Sequence, residues 1–252
     1  MILPEVSHHS KRQKLSMLLS AWLSYFKTNP NRFEAFSDLG SWLMTTFLRR
    51  DLIGWKLPWI TYPSIKWLRT RVQPGERVFE WGSGGSTLFF LDQGLEIISV
   101  EHDLNWHLKV KSVIEKNHAA KVNMVNLSHI APQAAAQGSE GDGPAPDVDD
   151  PLTAAPQKGE LFYEYTQSIQ QYPDQSFDYI LVDGRARVGC LKMCLKKIKV
   201  GGAVILDNSE RAHYDQGVRL FEEPDWQVIQ FPGPGPLSIW PVFWQTTVFI
   251  KR

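Results

Sequence analysis

Three acids each close a short apolar run, and each is followed by residues that turn the chain sharply. Glu80 follows Val78 and Phe79 and leads into Trp81, Gly82, Ser83, Gly84, Gly85, Ser86 and Thr87. Asp183 ends the run Tyr179 to Val182 ahead of Gly184 and Arg185, and Asp207 ends Val204 to Leu206 ahead of Asn208. Glycines are needed where the backbone turns tightly or where a ligand must reach main-chain atoms without meeting a Cβ. The segment Gly82 to Ser86 therefore reads as a binding loop. A dinucleotide pyrophosphate would want a third glycine where Thr87 stands, and a carboxylate at Glu80 would repel it. That disfavours an NAD-type oxidoreductase and suits a ligand carrying positive charge.

Glu101 closes a further run, Ile97 to Val100, and lies nineteen residues beyond Gly82. An acid about 20 residues past such a loop sits at the tip of the second strand, where its two oxygens can accept both hydroxyls of a ribose. His102 and Asp103 fall beside it. Trp106 is placed either to stack on a base or to fill core.

The segments occur in an order that resembles the class I, S-adenosylmethionine-dependent methyltransferases. Glu80, Gly82 and Gly84 stand as the acid-x-Gly-x-Gly of that superfamily's first motif, with Ser86 where many members have a last glycine. Phe177 to Arg185 resembles the fourth motif, and Lys199 to Gly202 leading into Ala203 to Asn208 resembles the turn and strand that follow. The resemblance covers about 78 to 208 together with the final strand pair. It implies that Glu80, Gly82, Ser83, Gly84, Gly85, Ser86, Glu101 and His102 hold S-adenosylmethionine, with Thr61 and Tyr62 closing over it. Asp183 and Asp207 are then the candidates for base or orienting roles. Asn208, Arg185 and Arg211 are the candidates for contact with a small-molecule acceptor, whose methylated atom is expected to be oxygen. Asp183, Asp207 and Asn208 also look like the ligand set of divalent-cation-dependent, catechol-type O-methyltransferases, where hard oxygen ligands hold Mg²⁺ or Ca²⁺. The Gly-Gly-Ser loop and the N-terminal region do not look like that family, and no residue is assigned to a metal. Arg187 reads as a surface-solvated cation and His213 as incidental.

Strands must place these acids on one edge. Val78 and Phe79, Glu96 to Val100, Val122 to Leu127, Phe177 to Val182 and Ala203 to Leu206 alternate with helix-compatible stretches, which predicts an α/β fold with a parallel sheet. After a helix over roughly 210 to 222, strands at Trp226 to Phe231 and Thr246 to Ile250 follow without a helix between them and should pair antiparallel. The expectation is a Rossmann-like doubly wound sheet, mostly parallel with an antiparallel last strand, over 69 to 252. A helical N-terminal extension over 1 to 68 precedes it. Residues 131 to 160, rich in Gly, Pro, Ala and acids, are expected to be a flexible insertion.

Within the extension Leu15, Leu18, Leu19, Trp22, Leu23 and Phe26 form one helical stripe, expected to pack on its own domain. Peripheral membrane contact, as part of a non-catalytic scaffold, is the less favoured use of that stripe. Pro58 and Pro63 cut the Trp-rich stretch after it into short helices. Lys plus Arg and Asp plus Glu are 27 each, so no electrostatic footprint for nucleic acid exists. Cys190 and Cys194, four apart, suit a buried helical face better than a disulfide framework. With no apolar run near the ~20 residues of a membrane span, the chain is expected in the cytoplasm. Its oligomeric state is not encoded in any motif.

Overall fold

The computed structural model describes residues 11–48, 51–134, 153–155, 160–222, 224–236 and 243–252. Seven strands form one sheet: β1 (Arg77–Trp81), β2 (Glu96–Glu101), β3 (Val125–His129), β7 (Phe177–Val182), β8 (Ile198–Asp207), β9 (Trp226–Pro234) and β10 (Phe243–Lys251). Their order across the sheet is β3-β2-β1-β7-β8-β10-β9. β1 pairs parallel with β2 and β7, and the parallel pattern continues outward to β3 and β8. The last strand, β10, is inserted antiparallel between β8 and β9, which supplies the one reversal the strand-loop-strand pattern demanded.

Both faces of the sheet are buried, which is why its central strands read as continuous apolar runs. Val78, Ile97, Leu181, Ile205 and Val248 point to one layer, containing α4 (Tyr62–Arg71), α5 (Gly85–Asp92) and α6 (Leu104–Asn117). Phe79, Ile98, Ile180, Val204 and Phe249 point to the other, containing α7 (Tyr163–Gln167) and α8 (Arg187–Cys194). Cys190 and Cys194 are buried there as free thiols, and burial pushes both up from the ordinary thiol range.

The N-terminal region supplies α1 (Lys11–Thr28), α2 (Arg32–Phe47) and α3 (Leu52–Trp55). The Asn31 side chain accepts from the Glu34 amide at 3.3 Å and starts α2. Only part of the predicted α1 stripe faces inward. Trp22 is buried against Phe243 and Trp42, at ring separations of 5.0 and 5.7 Å, whereas Leu19 and Leu23 are exposed. The side chain of Leu15 lies outside the described residues. Residue 68, the expected end of the extension, falls inside α4, where Leu68 is core. No helix among the described residues is long and apolar enough to cross a membrane.

Several boundaries depart from the sequence reading. The third strand begins at Val125 because Ala119–Met124 winds into a 3-10 helix. Lys199 to Gly202 is no turn but part of β8, which passes through Gly201 at φ 79 where its register against β7 shifts. The helix expected over 210 to 222 is broken into a 3-10 turn (Ala212–Tyr214), α9 (Asp215–Val218) and a second 3-10 turn (Arg219–Phe221). Gly217 lets α9 press on α8, since a Cβ there would come within 2.6 Å of Leu191. The 131 to 160 segment contains a small antiparallel sheet of β4 (Gln133–Ala134), β6 (Glu160–Leu161) and β5 (Thr153–Ala155), in that spatial order. The rest of the expected flexible insertion, 135–152 and 156–159, lies outside the described residues.

Candidate cofactor and acceptor site

Glu80, Asp183 and Asp207 stand at or just past the carboxyl ends of three adjacent strands, β1, β7 and β8. In an open α/β sheet that edge is where ligands bind. The turn after β1 is as tight as its glycines require. Gly82 has φ 98, and a Cβ on it would sit 3.0 Å from the Asp183 carbonyl oxygen. Gly85 starts α5 hard against the carbonyls of Leu52 and Leu57, leaving no room for a side chain.

Glu80 has no exposed surface. Its Oε1 accepts from the Thr87 hydroxyl, which in turn accepts the Gly84 amide at 2.9 Å, while Oε2 has no direct hydrogen-bond partner. Burial pushes the Glu80 carboxyl up to about 7, against the lowering effect of Thr87 and Ser86. Asp183 and Asp207 are also raised, by burial first; Glu80 adds to the rise at Asp183, and Asp183 to that at Asp207. Arg187 opposes the rise at both. Asp183 and Asp207 share the one guanidinium of Arg187, and Glu80 adds a third carboxyl beside Asp183, so the site is short of positive charge.

Glu101 behaves differently. Its Oε2 accepts from the Ser83 amide and hydroxyl at 3.0 and 3.1 Å, and its Oε1 from the His102 and Asp103 amides at 2.8 and 3.0 Å. Burial alone would raise it, but these bonds together with His102 hold it below the usual carboxylate range. Glu101 thus ties the tip of β2 to the glycine turn. His102 Nδ1 lies 2.8 Å from Glu101 Oε1, and Arg185 Nε donates to His102 Nε2 at 3.3 Å, linking the segments that follow β2 and β7.

Trp106 donates to the Ser83 carbonyl at 2.7 Å and lies beside Gly84, with the Lys109 ammonium 4.8 Å from its ring. It braces the turn from outside. Tyr62 is not brought to the turn: it is core, its hydroxyl is 2.7 Å from that of Thr45, and burial raises it to about 12. Thr61 joins the acceptor side instead, its amide donating to Thr246 Oγ1 at 3.1 Å.

Arg187 corrects the sequence reading most. It is 8% exposed, pairs with Asp183 at 2.9 Å, donates to the Asp207 carbonyl and reaches Asn208 Oδ1 at 3.4 Å. Ala186 in the left-handed region at φ 47 folds the chain so that Arg187 turns inward while Arg185 stays exposed. An i, i+4 spacing from Asp183 was the available signal, and it was missed because an arginine after a turn is usually solvated. Asp207 Oδ1 accepts from Trp244 Nε1 at 2.8 Å and Thr246 Oγ1 at 2.9 Å, so Trp244 and Thr246 also belong to the site. Asn208 is left-handed at φ 53, His213 is exposed, and Arg211 is exposed at the same rim.

The carboxyl set, with the unpartnered Glu80 Oε2, fits a cationic ligand such as S-adenosylmethionine. It does not fit a dinucleotide pyrophosphate, because the Ser83 and Gly84 amides are already spent on Glu101 and Thr87. Nor does it fit a divalent cation at Asp183, Asp207 and Asn208, where the Arg187 guanidinium is on Asp183 Oδ1 and Asn208 Oδ1 and the Asp207 Oδ1 is taken by Trp244 and Thr246. Among the described residues no group of three His, Cys, Asp or Glu is placed to hold a metal.

No protein-family model matches the chain, and no curated protein matches its sequence. Solved structures match its fold. A protein assigned as an O-methyltransferase from Klebsiella pneumoniae superposes with a TM-score of 0.54 at 15% identity, over 86% of this chain and 99% of that one. The O-methyltransferase from Bacillus cereus, in complex with S-adenosylhomocysteine, gives 0.52 at 17% identity over 92% and 97%. The O-methyltransferase TomG from Streptomyces achromogenes, involved in tomaymycin synthesis and in complex with S-adenosylmethionine, gives 0.51 at 15% over 85% and 98%.

Proposed function

The fold is that of the class I methyltransferases, and within it we propose that this chain transfers a methyl group from S-adenosylmethionine to a small-molecule hydroxyl. The observation that carries the reading is the row of three carboxyl groups, Glu80, Asp183 and Asp207, beside a glycine turn held by Glu101. When bound, S-adenosylmethionine supplies a methyl already activated on a sulfonium, so positioning can provide much of the acceleration and no covalent nucleophile is needed.

The Gly82 to Ser86 turn and Glu101 hold the cofactor. The Ser83 hydroxyl on Glu101 is a rotor, and turning it away frees one Oε2 lone pair for a ribose hydroxyl while the Ser83 amide keeps the turn in place. Glu80, fully buried, acts through its field and its link to Thr87. Asp183, 19% exposed with Oδ1 on Arg187, is the better placed group to take the acceptor's proton. Asp207 is a positioning residue, fixed by Trp244 and Thr246. Arg185 and Asn208 stand at the acceptor's rim. The cytoplasm is the proposed location, with no role for nucleic acid.

The test is transfer of labelled methyl from S-adenosylmethionine to a panel of hydroxylated small molecules in the presence of EDTA. We expect turnover that survives the chelator and falls at least about a hundredfold in Asp183→Asn. In that variant S-adenosylhomocysteine should still bind, weakened by less than about tenfold because Glu80, Asp207 and the glycine turn remain, and Asp207→Asn should retain turnover within about tenfold. Turnover in Asp183→Asn equal to wild type would remove the base role, and loss of activity with EDTA would restore a metal. Failure of the folded protein to bind S-adenosylhomocysteine would favour the scaffold reading.

A further inference from the structure

Outside the carboxylate cleft the molecule has a cavity of about 550 Å³ between α1, the start of α2, α4 and the β9-β10 pair. That volume is within the range that encloses a drug-sized molecule. Its walls are Tyr25, Trp67, Phe231, Phe243 and Trp244. Trp67 packs on Phe231 with centroids 6.0 Å apart and Tyr25 on Phe243 at 5.5 Å, both pairs tilted, so two separate ring pairs line it. Trp244 is shared with the cleft, since its Nε1 donates to Asp207.

One polar device is built into this aromatic wall. Asp38, 1% exposed, accepts from the Tyr25 hydroxyl at 2.7 Å and pairs with Lys66 at 2.7 Å. Lys66 also donates to the Glu34 carbonyl at 3.3 Å and lines the cavity, with 34% of its side chain exposed. An ammonium has three N–H groups, so a third remains after these two contacts. Because Asp38 already neutralises Lys66, that donor asks for a hydrogen-bond acceptor and not for a full counter-charge.

We propose that this cavity is a second small-molecule site, taking a planar aromatic ring system with one oxygen acceptor directed at Lys66. The rings supply edge and face contacts that flat aromatics satisfy better than flexible chains, and the Lys66 donor fixes which way round the molecule lies. The site is distinct from the cofactor turn, and its existence does not depend on the methyltransferase reading.

The experiment is titration of the full chain with 2-naphthol, followed by tryptophan fluorescence and calorimetry. Ser24→Trp and Thr70→Trp, two separate substitutions of cavity-lining residues, fill the space. Lys66→Met removes the donor, and Phe33→Ser alters an exposed apolar residue outside the cavity. We expect saturable one-to-one binding in wild type and Phe33→Ser, its loss in whichever filled variants keep the wild-type melting transition, and a weakening of about fivefold to tenfold in Lys66→Met. S-adenosylhomocysteine titrated into the same variants reports on the cleft separately. Binding of 2-naphthol that is non-saturable, unchanged in the filled variants, or lost in Phe33→Ser would overturn the proposal.

Discussion

A carboxyl group with no exposed surface is ionised only at the cost of its lost hydration, and Glu80 is such a group. Its folded-state value of about 7 lies above the ordinary 4.5. The folded protein therefore holds this proton more tightly than the unfolded chain does. Stability is lost as pH rises from about 4.5 and the loss is complete above about 7. Glu80→Gln keeps the shape and removes the ionisation, so at pH 8 it should be more stable than wild type by on the order of 2 kcal/mol, the gain vanishing toward pH 5. Urea denaturation at the two pH values measures this. Arg187 works in the opposite sense, and Arg187→Met leaves the partly buried Asp183 without its cation. A destabilisation of about 3 kcal/mol at pH 8 is expected, smaller at pH 5 where Asp183 can take a proton. At this scale the sequence identified the acids, because strand-end position is visible in the apolar runs before them. It missed Arg187, Trp244 and Thr246, whose contacts with Asp183 and Asp207 depend on the left-handed Ala186 and on the pairing of β10 with β8.

Among the elements, the strand-turn-helix of β1 and α5 is the most constrained. Gly82 combines a positive φ with contact to the next strand's chain end, and Gly85 has its Cβ position taken by carbonyls that close α3. Gly82→Ala and Gly85→Ala should each cost about 3 kcal/mol or more, read from thermal melting, because neither neighbour is a flexible side chain that can move aside. Gly84→Ala, whose Cβ would meet only the Trp106 ring at an ordinary 3.6 Å, carries the backbone strain of φ 158 but no clash with main-chain atoms, and should cost less. Equal effects at all three positions would mean that the turn's geometry is not what constrains them. The glycine turn and the β9-β10 reversal were legible because each depends on local spacing. The 3-10 winding before β3, the broken helix over 212–221 and the small β4-β6-β5 sheet were not. They depend on which distant surface each segment meets, as with Gly217 against Leu191.

Across the whole molecule, the N-terminal helices are attached through aromatic contacts. Trp22 packs on Phe243 of β10 and on Trp42 of α2, and Thr61 ties the start of α4 to Thr246. Trp22→Ala should lower stability by about 3 kcal/mol and increase cleavage around α1 in limited proteolysis. The carboxyl row and glycine turn are proposed to receive a cationic cofactor. Such a ligand would lower the raised carboxyl groups, so protons must leave as it binds. The most direct measurement is calorimetric titration of the wild-type chain with S-adenosylmethionine, whose sulfonium leaves it with a net positive charge, at pH 6, 7 and 8 and in two buffers of different ionisation heat. One-to-one binding that tightens with pH, with a buffer-dependent heat showing proton release, is the predicted result. Absence of binding by the folded protein, or binding that takes up protons and weakens with pH, would contradict it.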